Sequence, residues 1–331
     1  MRRPCPDQAF HAAISFRPMK IAHGFDDLRA DWRYPVVTIG NFDGVHVGHR
    51  RILTQAAEIA RRNSGTSIVM TFWPHPAQFF QPERRLQYLT GRATQQALIE
   101  ETGIDIALIV PFDREFARIE AKDFVREILI RTLRAREIVV GFNFTFGRGK
   151  TGDAAFLQRE AGRSGCETHI IGPLKIDGGQ VVSSTRIRAL VREGEVETAA
   201  RLLGREYSVK GEVIRGAERG AKIGFPTANL RPGDLIVPAK GVYVARILIE
   251  GVLHPAVVNV GVNPTFGGET LGIETHVLDF SGDLYGRDVE VRFCRRVREE
   301  MTFPSVDDLV ERIRGDVSVA RAFFRDEPDA S

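Results

Sequence analysis

Residues 38–49 read TIGNFDGVHVGH. The stretch leaves the apolar run Pro35–Gly40 and enters a segment where Ile52, Leu53, Ala56, Ile59 and Ala60 recur on one face at helical spacing. A strand, a glycine-rich turn and a helix in that order predict a βα junction. Further apolar, β-branched runs follow at 66–72, 104–110, 137–143 and 168–172, separated by segments about one helix long. Such runs predict strands buried on both faces, and the alternation predicts βαβ units in an open, parallel α/β sheet. Sheets of that kind bind ligands outside the carboxyl ends of their strands, so a junction that carries two histidines gains weight.

The texture changes after 181–204. Two helix-like pieces there are separated by Gly194, placed as a C-terminal cap, and end at Gly204. From residue 205 the pattern is strand and turn: 241–261 alternates and reverses at Glu250-Gly251, as a hairpin does, and 273–280 and 288–293 add strands. Leu309, Val310 and Ile313 predict closing helices. The reading is therefore an α/β domain over 19–203 and a smaller, mainly β domain over 205–328. Met19 opens MKIAHGFDDL, which reads as a natural start, so residues 1–18 are expected to be an unstructured extension.

At 331 residues, two domains are the reasonable division. A net charge of +3 suits anionic small molecules and does not demand a nucleic acid. No apolar run approaches the ~18 residues of a membrane span. The three cysteines, Cys5, Cys166 and Cys294, are far apart and form no CxxC, which speaks against a disulfide framework or structural zinc and fits a reducing cytoplasm.

In the first domain, His46 and His49 stand one helical turn apart at a predicted helix start, where uncovered backbone N–H groups face a ligand. Gly44 and Gly48 remove side chains where a phosphate would approach the backbone. Imidazoles so placed can donate to oxygens that gain charge during phosphoryl or nucleotidyl transfer. Metal ligation and plain capping are the alternatives; a helical zinc pair prefers spacing i, i+4, and no HExxH is present. The segment GRGKTGD at 147–153 ends like a phosphate-binding P-loop, but Phe144 stands where its first glycine belongs, so it reads as a mobile glycine-rich loop. VSSTRIR at 182–188 again joins strand to helix: Ser183, Ser184 or Thr185 can cap it, and the hydroxyls with Arg188 can also hold a polyphosphate.

In the second domain, Gly220 and Gly224 allow tight turns in RGAKIGFPTANL, residues 219–230. Thr227 and Asn229, two apart on an extended segment, share one face and offer oxygens to a magnesium ion; an Asx-type turn is the alternative. VNPTFGG at 262–268 is another polar turn, and Glu274 stands early in a strand, either as a base for a hydroxyl proton or as a solvated strand residue.

The segments GNFDGVHVGH, TFWPHP, GFNFTFGRGKTGD and VSSTRIR resemble the adenylyltransferase module of the bacterial bifunctional riboflavin kinase/FAD synthetase family. GFPTANL, KGVYV, GVNPTFGG, ETHVLDF and DLYG resemble its riboflavin kinase module. The resemblance implies a Rossmann-like HxGH nucleotidyltransferase domain followed by a six-stranded β-barrel with C-terminal helices. It implies that His46 and His49 stabilise the α-phosphate and departing pyrophosphate, and that Asn143 contacts ATP. Gly40, Phe42, Gly44 and Gly48, with Ser184, Thr185 and Arg188, would hold its phosphates. Phe72, Pro74, His75 and Pro76 fall where the family places part of a flavin pocket. In the kinase module Gly220 and Gly224 would line ATP, Thr227 and Asn229 would bind Mg²⁺ and phosphate, and Glu274 would be the base. The implied activity is phosphorylation of riboflavin to FMN, then adenylylation of FMN to FAD, with Mg²⁺ and ATP and no membrane or nucleic-acid partner. An enzyme with one working half and a flavin-binding module without turnover are the rival readings.

Overall fold

The computed structural model describes residues 18–28, 32–83, 86–176, 179–216, 219–263 and 270–326. Most of the expected extension, Cys5 and residues 264–268 of the turn at 262–268 lie outside the described residues.

In chain order the first part holds β1 (Lys20–His23), β2 (Pro35–Ile39), α1 (Val47–Arg62), β3 (Thr66–Trp73), α2 (Pro76–Phe80), α3 (Arg92–Glu100) and β4 (Ile106–Pro111). α4 (Ala121–Asp123), β5 (Glu137–Gly141), β6 (Thr145–Phe146), β7 (Gly152–Asp153), α5 (Ala154–Gly162) and β8 (Glu167–Ile171) complete it. α4 runs into a wide, π-helical stretch over Phe124–Thr132. Six strands form a parallel sheet in the order β1-β4-β3-β2-β5-β8. Without β1 this is the doubly wound order, which reverses beside β2, where such sheets leave a crevice. All five residues of β2 are buried, because helices cover both faces. On α1, Leu53, Ala56, Ile59 and Ala60 are buried as their spacing predicts, and Ala57 joins them. Each large apolar side chain so buried contributes about 1.5–3 kcal/mol.

The second part holds β9 (Lys175–Ile176), β10 (Gln180–Val181), α6 (Ser184–Glu193), α7 (Val196–Leu203), β11 (Tyr207–Ile214), α8 (Arg219–Lys222), β12 (Ala228–Arg231) and β13 (Gly241–Ile249). β14 (Val252–Asn263), β15 (Thr270–Val277), β16 (Asp288–Arg298) and α9 (Val306–Asp326) follow. A closed six-stranded barrel runs β11-β12-β15-β14-β13-β16. The β13–β14 hairpin turns at Glu250 and Gly251, both at positive φ (49° and 84°), as a two-residue hairpin loop requires. Gly194 and Gly204 end α6 and α7 in the left-handed conformation. The closing segment is one helix where helices were expected. Arg298 grips both oxygens of Asp316 on it, and Ala320 packs on Val242, Val244 and Val257 of the barrel's outer face.

Packing divides the chain into two compact units: residues up to 41, 50–79 and 96–172, and residues 42–49, 80–95 and 173 onward. This differs from the contiguous ranges 19–203 and 205–328. The cause is hydrophobic: Ile187, Leu190, Val191, Val196, Ala199, Leu202 and Leu203 of α6 and α7 share one core with Tyr207, Tyr243 and Phe293 of the barrel.

Candidate functional sites

The loop between β2 and α1 is strained. Phe42, Gly44 and Val45 all take positive φ (49°, 83° and 36°), which costs about 1–3 kcal/mol for each non-glycine residue. Asp43, which was not among the expected site residues, explains how the strain is held. Its buried carboxylate accepts from Leu89 N (3.0 Å) and Thr90 N (3.3 Å) and pairs with Arg188 Nη2 at 2.5 Å; its carbonyl accepts from Ser184 Oγ at 2.9 Å. Arg205 Nη2 donates to Gly44 O at 2.8 Å and holds the loop from another side. Ser184 and Arg188, expected on phosphate, are thus anchored to this loop, and the pairing leaves Arg188 Nε buried without a partner among the described residues. Ser183 caps α6 by accepting from Arg186 N, so the capping reading holds for that residue, and Thr185 is exposed at the helix start.

His46 and His49 come together. Their rings stack at 3.6 Å between centroids, 16° apart, and Phe42, itself buried, meets His49 edge-on at 5.2 Å. His46 Nδ1 accepts from the backbone N–H of His49 at 3.1 Å, capping α1. Capping and chemistry are therefore not alternatives: the cap occupies Nδ1 and leaves the neutral ring's proton on Nε2, a donor. At Gly48 a Cβ would lie 3.2 Å from the His46 ring, so the missing side chain also makes room for that imidazole. Gly44 combines its positive φ with a close approach to Leu89, whose Cδ1 would stand 2.9 Å from a Cβ. Gly40 spends its N–H on Met70 O at 3.1 Å.

Burial lowers the His46 pKa from 6.5 to about 4, and Arg205 and Arg188 push the same way. Burial, then His46 and Arg188, hold His49 well below its ordinary value. Both rings are uncharged near neutrality. Between the unfolded value of 6.5 and the folded value near 4, the unfolded chain binds the extra proton, so stability is full above pH 6.5 and is lost as pH falls toward 4. For His46 alone the loss is roughly 3 kcal/mol. Urea unfolding of the parent and His46→Asn at pH 7 and pH 4.5 checks this: the parent loses more stability on acidification, and an equal loss in both refutes it.

Among the described residues, the one trio of His, Cys, Asp or Glu with converging ligand atoms is Glu137, Glu167 and His169; neither His46 nor His49 belongs to it.

In the first unit, Asn143 is exposed just beyond β5. Phe72 packs with Phe112 and Phe116 (5.8 and 5.5 Å), and Phe79 also meets Phe112, leaving an aromatic cluster at the end of β3 with Trp73 exposed beside it. Pro74 is exposed; His75 Nδ1 accepts from Ala77 N at 3.0 Å, and Pro76 begins α2. The loop at 147–153 is tethered rather than loose: Arg148 N donates to Ile119 O, its guanidinium pairs with Glu120, and a Cβ on Gly147 would press Ala121 at 2.6 Å.

On the barrel, Ala228 and Leu230 face the core, so Asn229 faces outward, where it is nevertheless buried. Thr227 precedes it at the same parity and is half-buried. Asn229 lies directly opposite Glu274 of β15. Strand pairing thus joins the two amino acids expected to act together, although 45 residues separate them. Gly220 admits the Phe225 carbonyl, which would stand 2.3 Å from a Cβ, and Gly224 turns the chain at φ 88° with open space around it. Hydroxyl, amide and carboxylate oxygens in one row form a donor set that suits a hard cation such as Mg²⁺.

Two family models match: FAD synthetase over residues 28–186 and riboflavin kinase over 203–324. The chain is 37% identical over 308 residues to the bifunctional riboflavin kinase/FMN adenylyltransferase of Escherichia coli (strain K12), covering 92% of this chain and 98% of that one. It is 32% identical over 317 residues to the protein of the same name from Bacillus subtilis (strain 168), covering 93% and 98%. A crystal structure described as a macrolide-efflux protein from Streptococcus pneumoniae superposes with TM-score 0.84 at 32% identity, over 92% of this chain and 99% of that one. Among the described residues, no helix is long and apolar enough to cross a membrane. Matched in both halves and along nearly its whole length, the chain belongs to the bifunctional riboflavin kinase/FMN adenylyltransferase family.

Proposed function

We propose that the chain makes flavin cofactors in two ATP-dependent steps: residues 205–328 phosphorylate riboflavin to FMN, and residues 19–203 adenylylate FMN to FAD. In the first step Glu274 takes the proton of the ribityl 5′-hydroxyl while that oxygen bonds to the γ-phosphorus and ADP departs. Thr227 and Asn229 would hold the Mg²⁺, which supplies charge neutralisation on the phosphates when bound. In the second step an oxygen of the FMN phosphate bonds to the α-phosphorus of ATP and the bond to pyrophosphate breaks. The neutral imidazoles of His46 and His49 donate to the oxygens that gain charge, and Arg188 neutralises them. Both substrates are soluble anions or become so, which suits work in the cytoplasm without a membrane or nucleic acid.

The observation that carries the adenylylation reading is the uncharged, stacked imidazole pair within the electrostatic reach of an arginine whose Nε has no partner among the described residues. Buried donors without acceptors are costly, and a polyphosphate supplies acceptors. A time course with riboflavin and Mg-ATP, resolved by chromatography, tests the whole proposal. FMN appears first and FAD follows. FMN without FAD would leave one working half, and unchanged riboflavin would refute turnover.

A further inference from the structure

We infer that Arg205 is a positioning residue for the adenylylation step, clamping the backbone that leads into His46. The inference rests on His46 donating to the reacting phosphates in that step. Arg205 lies within the stretch matched by riboflavin kinase, 203–324, and beyond the FAD synthetase match at 28–186. The adenylylation centre is thus completed by a residue that its own module does not contain.

Three successive residues seat the loop before α1. A Cβ on Gly44 would stand 3.5 Å from Leu203 Cδ2, and a Cβ on Gly204, which ends α7 at φ 73°, would stand 2.8 Å from Val47 Cγ1. Arg205 then turns its guanidinium back onto the loop. Nη2 donates to Gly44 O at 2.8 Å, and Nη1 lies 3.4 Å from Val45 O and 3.5 Å from Leu203 O. Gly44 O and Val45 O belong to the two planar peptide groups that precede His46, so those planes set the direction in which His46 leaves the chain. Val45 holds φ at 36°, a strained conformation for a β-branched residue that persists only where its surroundings fix it.

The residue type matters. A guanidinium offers five N–H donors in a rigid plane and bridges several carbonyls at once; a lysine ammonium carries the charge without that fork. The charge has a second effect. Together with Arg188, Arg205 presses the His46 pKa further down after burial has lowered it, so the ring stays neutral with a proton on Nε2 to donate.

A double-mutant cycle on the full chain, supplied with FMN and Mg-ATP, tests this. Arg205→Gln lowers kcat for FAD formation by about tenfold to a hundredfold, the loss that a misplaced catalytic group produces, with KM for FMN and Mg-ATP changed less than about twofold. Arg205→Lys recovers part of that loss and stays within about tenfold of the parent. Riboflavin phosphorylation runs at the parental rate in both variants, which shows that the barrel is intact. In a His46→Asn background, Arg205→Gln costs less than about a further threefold, because the group it positions is already gone. An equal loss in both backgrounds overturns the inference, since Arg205 would then act independently of His46. Parental kcat in Arg205→Gln, or a raised KM at unchanged kcat, also overturns it. Should Arg205→Gln lose both conversions, Arg205→Lys decides: a fall in FAD formation alone upholds the inference, and parental rates or parallel losses overturn it. Parental FAD formation in His46→Asn alone would remove the donor assignment and the inference with it, an outcome distinct from the others.

Discussion

Replacing His49 with alanine lowers FMN adenylylation by about a hundredfold to a thousandfold, the usual loss for one donor at a developing oxyanion. Riboflavin phosphorylation continues, so FMN accumulates. The effect is large because the ring lies in a nearly dry site. Burial keeps it neutral, and removing it leaves a void beside His46 and Phe42 with no donor to replace it. His46 needs a subtler substitution, since alanine would also uncap α1. His46→Asn keeps a side-chain oxygen for the His49 N–H and loses the Nε2 donor, so it separates the cap from the chemistry. We expect a comparable fall in adenylylation with α1 and the kinase step preserved. Chromatography of riboflavin, FMN and FAD in one reaction measures all three. FAD formation at the parental rate in either variant would refute the role given to these imidazoles.

Much of this site was legible because its signals are local. The βα junction follows from an all-buried strand, β2, running into a one-sided helix, α1, and the C-terminal caps at Gly194 and Gly204 follow from backbone sterics. What escaped notice acts over distance. Asp43 reads as one more turn residue, yet it is the hub of the loop, with Arg188 lying 145 residues away and Leu89 46 away. A single sequence shows the residue and hides its partners. For Gly48 the motif cannot show that its missing side chain also makes room for the His46 ring. β1 was missed because it is four residues long with one buried, so it carries almost no pattern.

The barrel shows the same limit at a larger scale. Thr227, Asn229 and Glu274 each had a bland reading, as a turn or a solvated strand residue. The outward parity of Asn229 follows from the alternation of buried Ala228 and Leu230, which the sequence displays. That Glu274 stands against Asn229 follows from the pairing of β12 with β15, two strands that are not consecutive in the chain, and pairing between distant strands has no local signature.

That juxtaposition sets the other large effect. Glu274→Gln keeps the size and polarity of the side chain and removes its capacity to take a proton, so riboflavin phosphorylation falls by about a hundredfold to ten-thousandfold. Since the residue lies on the outer face of the barrel, away from the core formed by Tyr243, Phe293 and their neighbours, the near-isosteric substitution leaves no cavity in that core. Asn229→Ala stops the same step by a different route, through the loss of an oxygen donor beside the phosphates, and its deficit depends on Mg²⁺ concentration while that of Glu274→Gln does not. Neither change touches His46, His49 or Arg188, so FMN supplied directly still becomes FAD. Initial rates of both conversions across a Mg²⁺ titration separate these roles. If both conversions fell together in a variant whose unfolding midpoint matched the parent, the two chemistries would share one site, and the assignment of separate centres would be wrong.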